Sequence, residues 1–108
     1  MLRESANAQN QPVDIIAVTK PPLDPLLPLG NELIAFADAI TLMDFDELPI
    51  ARERLLDAAG PGAVTRAAAV CADFECTNRV VDAVGVPVNK RFYDIGEELQ
   101  VTVPDHLR

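Results

Sequence analysis

Two cysteines, one histidine and a cluster of four polar residues are the groups in this 108-residue chain that could do chemistry. Cys71 and Cys76 are five residues apart in a stretch of helical pattern. Five residues of helix turn two side chains roughly 140° apart and separate them by about 7.5 Å along the axis. A disulfide needs α-carbons within about 7 Å and converging side chains, so this pair cannot bridge without unwinding the helix. Cys71 shares a face with Val64 and Ala68 and is expected to be a buried, inert thiol. Cys76 points elsewhere, where it could meet a symmetry mate. His106 follows Pro104 near the end of the chain, with no second histidine and no nearby cysteine to complete a metal-ligand set. A serine nucleophile would have to be Ser5, in the opposite tail. No metal site and no cofactor are expected.

The polar cluster is Glu75, Asn78, Arg79 and Asp82, whose spacings of three, four and seven put them on one helical surface. Glu75 and Arg79 make an i, i+4 pair in the favourable order, and Arg79 and Asp82 an i, i+3 pair. In water such a ladder contributes a few tenths of a kcal/mol per pair. Half buried at a helix junction, Asn78 and Arg79 would instead hold adjoining backbone. Two carboxylates flanking an arginine tend to stay ionised, which suits neither a general acid nor a general base. A structural cluster is therefore expected, with anion binding by Arg79 and Asn78 as the sharper alternative.

These residues need a helix to carry them, and the chain writes one clearly. Pro61 suits a first turn, Gly85 a left-handed stop, and Pro87 follows, so the pattern predicts a helix from about Pro61 to Val84. Val64, Ala67, Ala68, Val70, Cys71, Phe74, Val81 and Val84 form its wide apolar face. An earlier helix is expected from Asn31, read as its N-cap, with Leu33, Phe36, Ala37, Ile40 and Met43 as a stripe. A second runs from about Asp46 or Glu47 to Ala59, burying Leu48, Ala51, Leu55 and Ala58, with Gly60 as its stop. A short fourth helix is expected over Asn89 to Leu99, then an extended Val101 to Val103. Residues 1 to about 12 read as a disordered arm. Five prolines from Pro12 to Pro28, among them Pro21, Pro22 and Pro25, argue against helix or sheet there. Leu23, Leu26 and Leu27 make this segment too apolar for a simple linker. It reads as an extended strap over its own domain or a neighbour.

The fold class that results is all-α: a small bundle of three to four helices with an extended Pro-rich N-terminal arm. The expected divisions are residues 1–28 as arm, 29–103 as helical domain and 104–108 as tail. Four Phe, one Tyr and no Trp leave Ala, Val and Leu to fill the core, which favours closely packed helices. The net charge of -8 argues against nucleic acid and anionic membranes as partners. No apolar run approaches the roughly 18 residues that a membrane span needs, and no signal-peptide pattern opens the chain. A cytoplasmic location is the expectation, and two cysteines without a bridging pattern agree with it. About 70 residues carry the fold, and a domain of that size buries only about 60% of its unfolded surface. Its longest helix is therefore expected to be completed by a second subunit, making a homo-oligomer.

The stretch from Ala67 to Pro87 resembles a segment of the carboxymuconolactone decarboxylase and alkyl hydroperoxidase D-like superfamily. Its late helix often reads as small apolar residues, then Phe, Asn-Arg and Asp-Ala-hydrophobic-Gly, here Phe74, Asn78, Arg79, Asp82, Ala83 and Gly85. The run from Phe36 to Thr41 looks like the part that precedes it, so the likeness covers roughly residues 33–87. The resemblance implies an all-helical fold that oligomerises through its helices. In the peroxidase members it also implies a redox Cys-x-x-Cys with a nearby Glu and His. This chain has no Cys-x-x-Cys and no histidine in its folded region, so thiol peroxidase activity is not expected. Three functions compete on this reading. The leading one is a non-catalytic helical assembly or interaction module, a degenerate relative of that family. The others are a small enzyme or enzyme subunit acting on a carboxylated or hydrophobic molecule at a subunit interface, and an adaptor docking on a larger catalytic subunit through residues 12–28.

Overall fold

A computed structural model describes all 108 residues, and its regular structure is helical throughout. Six α-helices follow in order: α1 Leu2–Ala8, α2 Ile15–Thr19, α3 Gly30–Thr41, α4 Glu47–Ala59, α5 Pro61–Val84 and α6 Tyr93–Glu98. Single 3₁₀ turns lie at Lys90–Phe92 and Asp105–Leu107. The chain divides into two compact units, Met1–Glu75 and Cys76–Arg108, with α5 contributing to both.

In the first unit α3 packs against α4. Phe36 and Ala39 of α3 meet Ala51 and Leu55 of α4 to form the buried centre. Ala35, Ile40, Leu48 and Ala59 pack around it, and α5 adds Val64, Ala67 and Ala68. Small side chains dominate these contacts, so the helices can approach closely. The expected stripe on α3 is displaced at both ends. Leu33 and Met43 are exposed, while Ala39 is buried. The helix ends at Thr41, and Met43 lies beyond it in the left-handed region with φ 52°. Asn31 does not cap α3. Gly30 is already helical, and Leu29 occupies the cap position with φ 57° and no side-chain hydrogen bond.

Helix α4 starts where its sequence says, but Asp44 supplies the cap. One carboxylate oxygen accepts from the backbone N–H groups of Asp46 (3.2 Å) and Glu47 (3.0 Å). Capping side chains of this type typically contribute about 1 kcal/mol. Asp44→Ala is accordingly expected to lower the stability of the unit by about 1 kcal/mol in urea unfolding, with Asp44→Asn nearer wild type.

The N-terminal segment departs most from its sequence reading. Residues 2–8, expected to be disordered, form α1 and bury Ala6. The Pro-rich stretch contains α2, although its proline content argued against any helix. Pro12 and Pro21 bracket eight residues free of proline, and the Asp14 carboxylate caps them by accepting from Ile16 and Ala17 N–H. The segment then folds back on itself. Asp14 N–H donates to the Pro25 carbonyl (3.0 Å), and the Gln11 side-chain amide donates to the Leu26 carbonyl (2.9 Å). Ala17 and Pro25 are fully buried.

In the second unit α5 ends at a left-handed Gly85, φ 70°. Val86 N–H donates to the Val81 carbonyl and Gly85 N–H to that of Asp82, closing a Schellman-type end. The expected Asn89–Leu99 helix is divided. Asn89 caps a 3₁₀ turn through Arg91 N–H (3.1 Å), and α6 follows. No strand forms at Val101–Val103. Val101 N–H is used by the Gly96 carbonyl, and the Val103 carbonyl accepts from Arg108 Nε (3.0 Å). Val88 N–H donates to the Leu107 carbonyl (2.7 Å), which ties down the last residues.

Candidate functional site

Helix α5 carries both cysteines and the four polar residues that the sequence singled out, and it has no buried residue over its 24 positions; Ser5 lies in α1 and His106 in the last 3₁₀ turn. At 100° per residue, two stripes of side chains along it can be distinguished from the rest. Val64, Ala68, Cys71, Glu75, Asn78 and Asp82 lie within an arc of about 80°. Val64 and Ala68 of this stripe pack on the α3–α4 core, and Cys71 and Glu75 are half-buried. The stripe then turns polar, and Asn78 and Asp82 are exposed. Arg79, beside them, is exposed as well.

The four polar residues therefore share a surface without forming a joined site. No ion pair links Arg79 to Glu75 or to Asp82, and no side-chain hydrogen bond fixes Asn78 to adjoining backbone. The half-buried junction expected for Asn78 and Arg79 is not present. The reason is local: α5 at this point packs no helix over its polar side, so water competes with every pair. An exposed guanidinium still attracts carboxylates, but without a desolvated floor it gains little affinity from one.

Both cysteines are free; Cys71 is half-buried and Cys76 exposed. Burial pushes the Cys71 thiol above its ordinary value, and the Glu75 carboxylate adds to the rise. A reactive thiolate needs the opposite surroundings, a cation or a helix N-terminus beside the sulfur. The surroundings of Cys71 thus disfavour its thiolate form. Alkylation at pH 8 is expected to label Cys76 well before Cys71. Because the Cys71 pKa is raised, its labelling rate should keep climbing above the pH at which an ordinary cysteine levels off. Glu75→Gln should speed labelling of Cys71 and leave Cys76 unchanged, as read by mass spectrometry over time.

No group of three or more His, Cys, Asp or Glu side chains is arranged to hold a metal ion. A cavity of about 400 Å³ in the second unit is lined by Tyr93, Glu97, Gln100, Val101, Thr102, Val103 and Arg108. Another of about 270 Å³ in the first unit lies among Pro21, Pro22, Leu23, Asn31, Ile34, Ala35, Asp38 and Arg54. Neither is lined by Asn78, Arg79 or Asp82. No helix is long and apolar enough to cross a membrane.

The second stripe of α5 is apolar and open. Val70, Phe74 and Val84 are 56%, 54% and 70% exposed. Val81 lies on the same line, half-buried, and Thr77 lies between them. By composition alone this stripe and the packing stripe form one wide apolar face. Spacing separates them: residues 70, 74, 77, 81 and 84 follow steps of four, three, four and three, whereas 64, 68, 71, 75, 78 and 82 run on their own line. Comparison with family models, with curated proteins and with solved structures finds no match to this chain.

Proposed function

We propose that this chain is a non-catalytic helical assembly module that associates with a further copy of itself. The observation that carries this reading is α5, a 24-residue helix with no buried residue and a line of exposed Val and Phe side chains. A lone exposed apolar residue is ordinary, but a contiguous apolar strip on a small domain marks an interaction surface. In this reading α3, α4 and the first half of α5 make a three-helix bundle, residues 1–28 are its strap, and the setting is cytoplasmic. The disfavoured thiolate at Cys71 and the solvated Arg79 support a module rather than an enzyme. The resemblance to the carboxymuconolactone decarboxylase-like superfamily fits the same picture, since its members associate through helices.

Paired substitution of Val70→Ser and Val84→Ser tests it, because neither side chain is part of the protomer's buried core. Light scattering should give a multiple of the 11.7 kDa protomer mass for the wild type and the protomer mass for the variant. The thermal melt at high dilution should be the same for both. An unchanged mass in the variant would move the association off α5, and a monomeric wild type would end the reading.

The strap supports a second reading, an adaptor that docks on a larger protein. Leu23, Leu26 and Leu29 are exposed within or beside it, although Pro25 is fully buried. Leu23→Ser with Leu26→Ser should then abolish capture of that partner while the self-association described above persists.

A further inference from the structure

Resting on the assembly reading, we infer that the open stripe of α5 is one half of a parallel, two-stranded coiled coil formed with a second copy of this chain. Val70, Phe74, Thr77, Val81 and Val84 recur at steps of four, three, four and three. On a helix this spacing keeps all five within an arc of about 80°, the seam of a heptad repeat. Phe74 and Val81 take the a positions, and Val70, Thr77 and Val84 the d positions. The repeat continues back through Ala67 and Ala63, but Ala67 already packs on the core of its own protomer. Two heptads are therefore free. An isolated peptide of that length would be too short to hold helix, because nucleation is costly. Here the helix is already formed and anchored at its first half by Val64, Ala67 and Ala68.

Charge selects the occupant. The chain carries a net charge of -8, so two copies repel wherever acidic surfaces meet. The seam avoids this. Its flanking positions over residues 70–84 are Cys71, Asp73, Asn78 and Val80, so one charge borders it. Glu75, Arg79 and Asp82 lie on other faces of the helix. In a parallel, in-register pair the position of Asp73 faces that of Asn78 on the second copy, so a carboxylate meets an amide donor. The antiparallel pairing that overlaps the whole free seam lays Val70 on Val81 and Phe74 on Thr77, and sets the Asp73 carboxylate beside Val80, where it meets no donor. A seam of two heptads with threonine at one central layer gives weak association, with a Kd of about micromolar order.

The test uses the full-length chain with Cys71→Ala and Cys76→Ser to remove the native thiols. Thr77→Cys is added in one variant and Arg79→Cys, on the far side of α5, in another. Under mild oxidation at about 50 µM protein, the cysteine at 77 should form disulfide-linked dimer at least about 10-fold faster than that at 79. Phe74→Glu, at an exposed position, should raise the dimer Kd by about 30-fold or more and leave the helical circular dichroism unchanged. Association without preferential linkage at 77 overturns the parallel seam and leaves the assembly reading standing. A chain that stays monomeric throughout overturns both. Preferential linkage at 77 that Phe74→Glu fails to suppress overturns the seam as the source of the association.

Discussion

Leu55→Ala is expected to lower the stability of the Met1–Glu75 unit by about 2–5 kcal/mol, the largest loss from any single truncation described here. Leu55 is 0% exposed and sits with Phe36, Ala39 and Ala51. Removing its branched end deletes transfer free energy and leaves a cavity. The cost depends on how far neighbours can relax into that space. Two of the three buried neighbours are alanines, which have no side chain to swing inward, so the loss should fall in the upper part of the range. Domains of ordinary stability have only about 5–15 kcal/mol to lose, and small ones sit at the low end. The urea midpoint should therefore drop steeply. Leu56→Ala, at the exposed neighbouring position, should cost under about 1 kcal/mol. Equal effects at 55 and 56 would contradict the packing of α4 on α3.

Gly30→Ala has the second large effect, and its sign is the informative part. At an ordinary helical position, replacing glycine by alanine is stabilising by about 1 kcal/mol. A Cβ built on Gly30 would lie 2.5 Å from Pro25 Cγ and 3.3 Å from Leu27 Cβ. Pro25 is fully buried, so its ring has nowhere to retreat. Overpacking of this kind costs about 1–3 kcal/mol, enough to reverse the usual gain. The variant should melt below wild type. A melt at or above wild type would mean that the Pro-rich segment does not pack against the start of α3.

The long helix was the most legible element. Pro61 and Gly85 punctuate it, and the structure ends it where they say, because one fixes φ for a first turn and the other accepts a positive φ. Ala51 and Leu55 were also readable as core from their spacing, as was Phe36. The N-terminal segment was not. Five prolines in seventeen residues argue against helix on average, whereas what a helix depends on is the gap between them. Asp14 at the start of that gap is the signal in the sequence that marks the helix. Met43 fitted the stripe of α3 by spacing, but spacing carries no information on where a helix stops, and no glycine marks that end. The polar residues of α5 illustrate the other limit. Glu75 and Arg79 have the right separation to pair, yet exposed pairs gain so little that spacing alone does not bring them together.

On the assembly reading, the Val70-to-Val84 side of α5 is covered by a second copy of this chain. Sedimentation equilibrium of the unmodified chain, from about 1 to about 200 µM, examines it most directly. The weight-average mass should rise from the protomer's 11.7 kDa toward double that value across the series. A mass that holds at 11.7 kDa up to the highest concentration would contradict the claim.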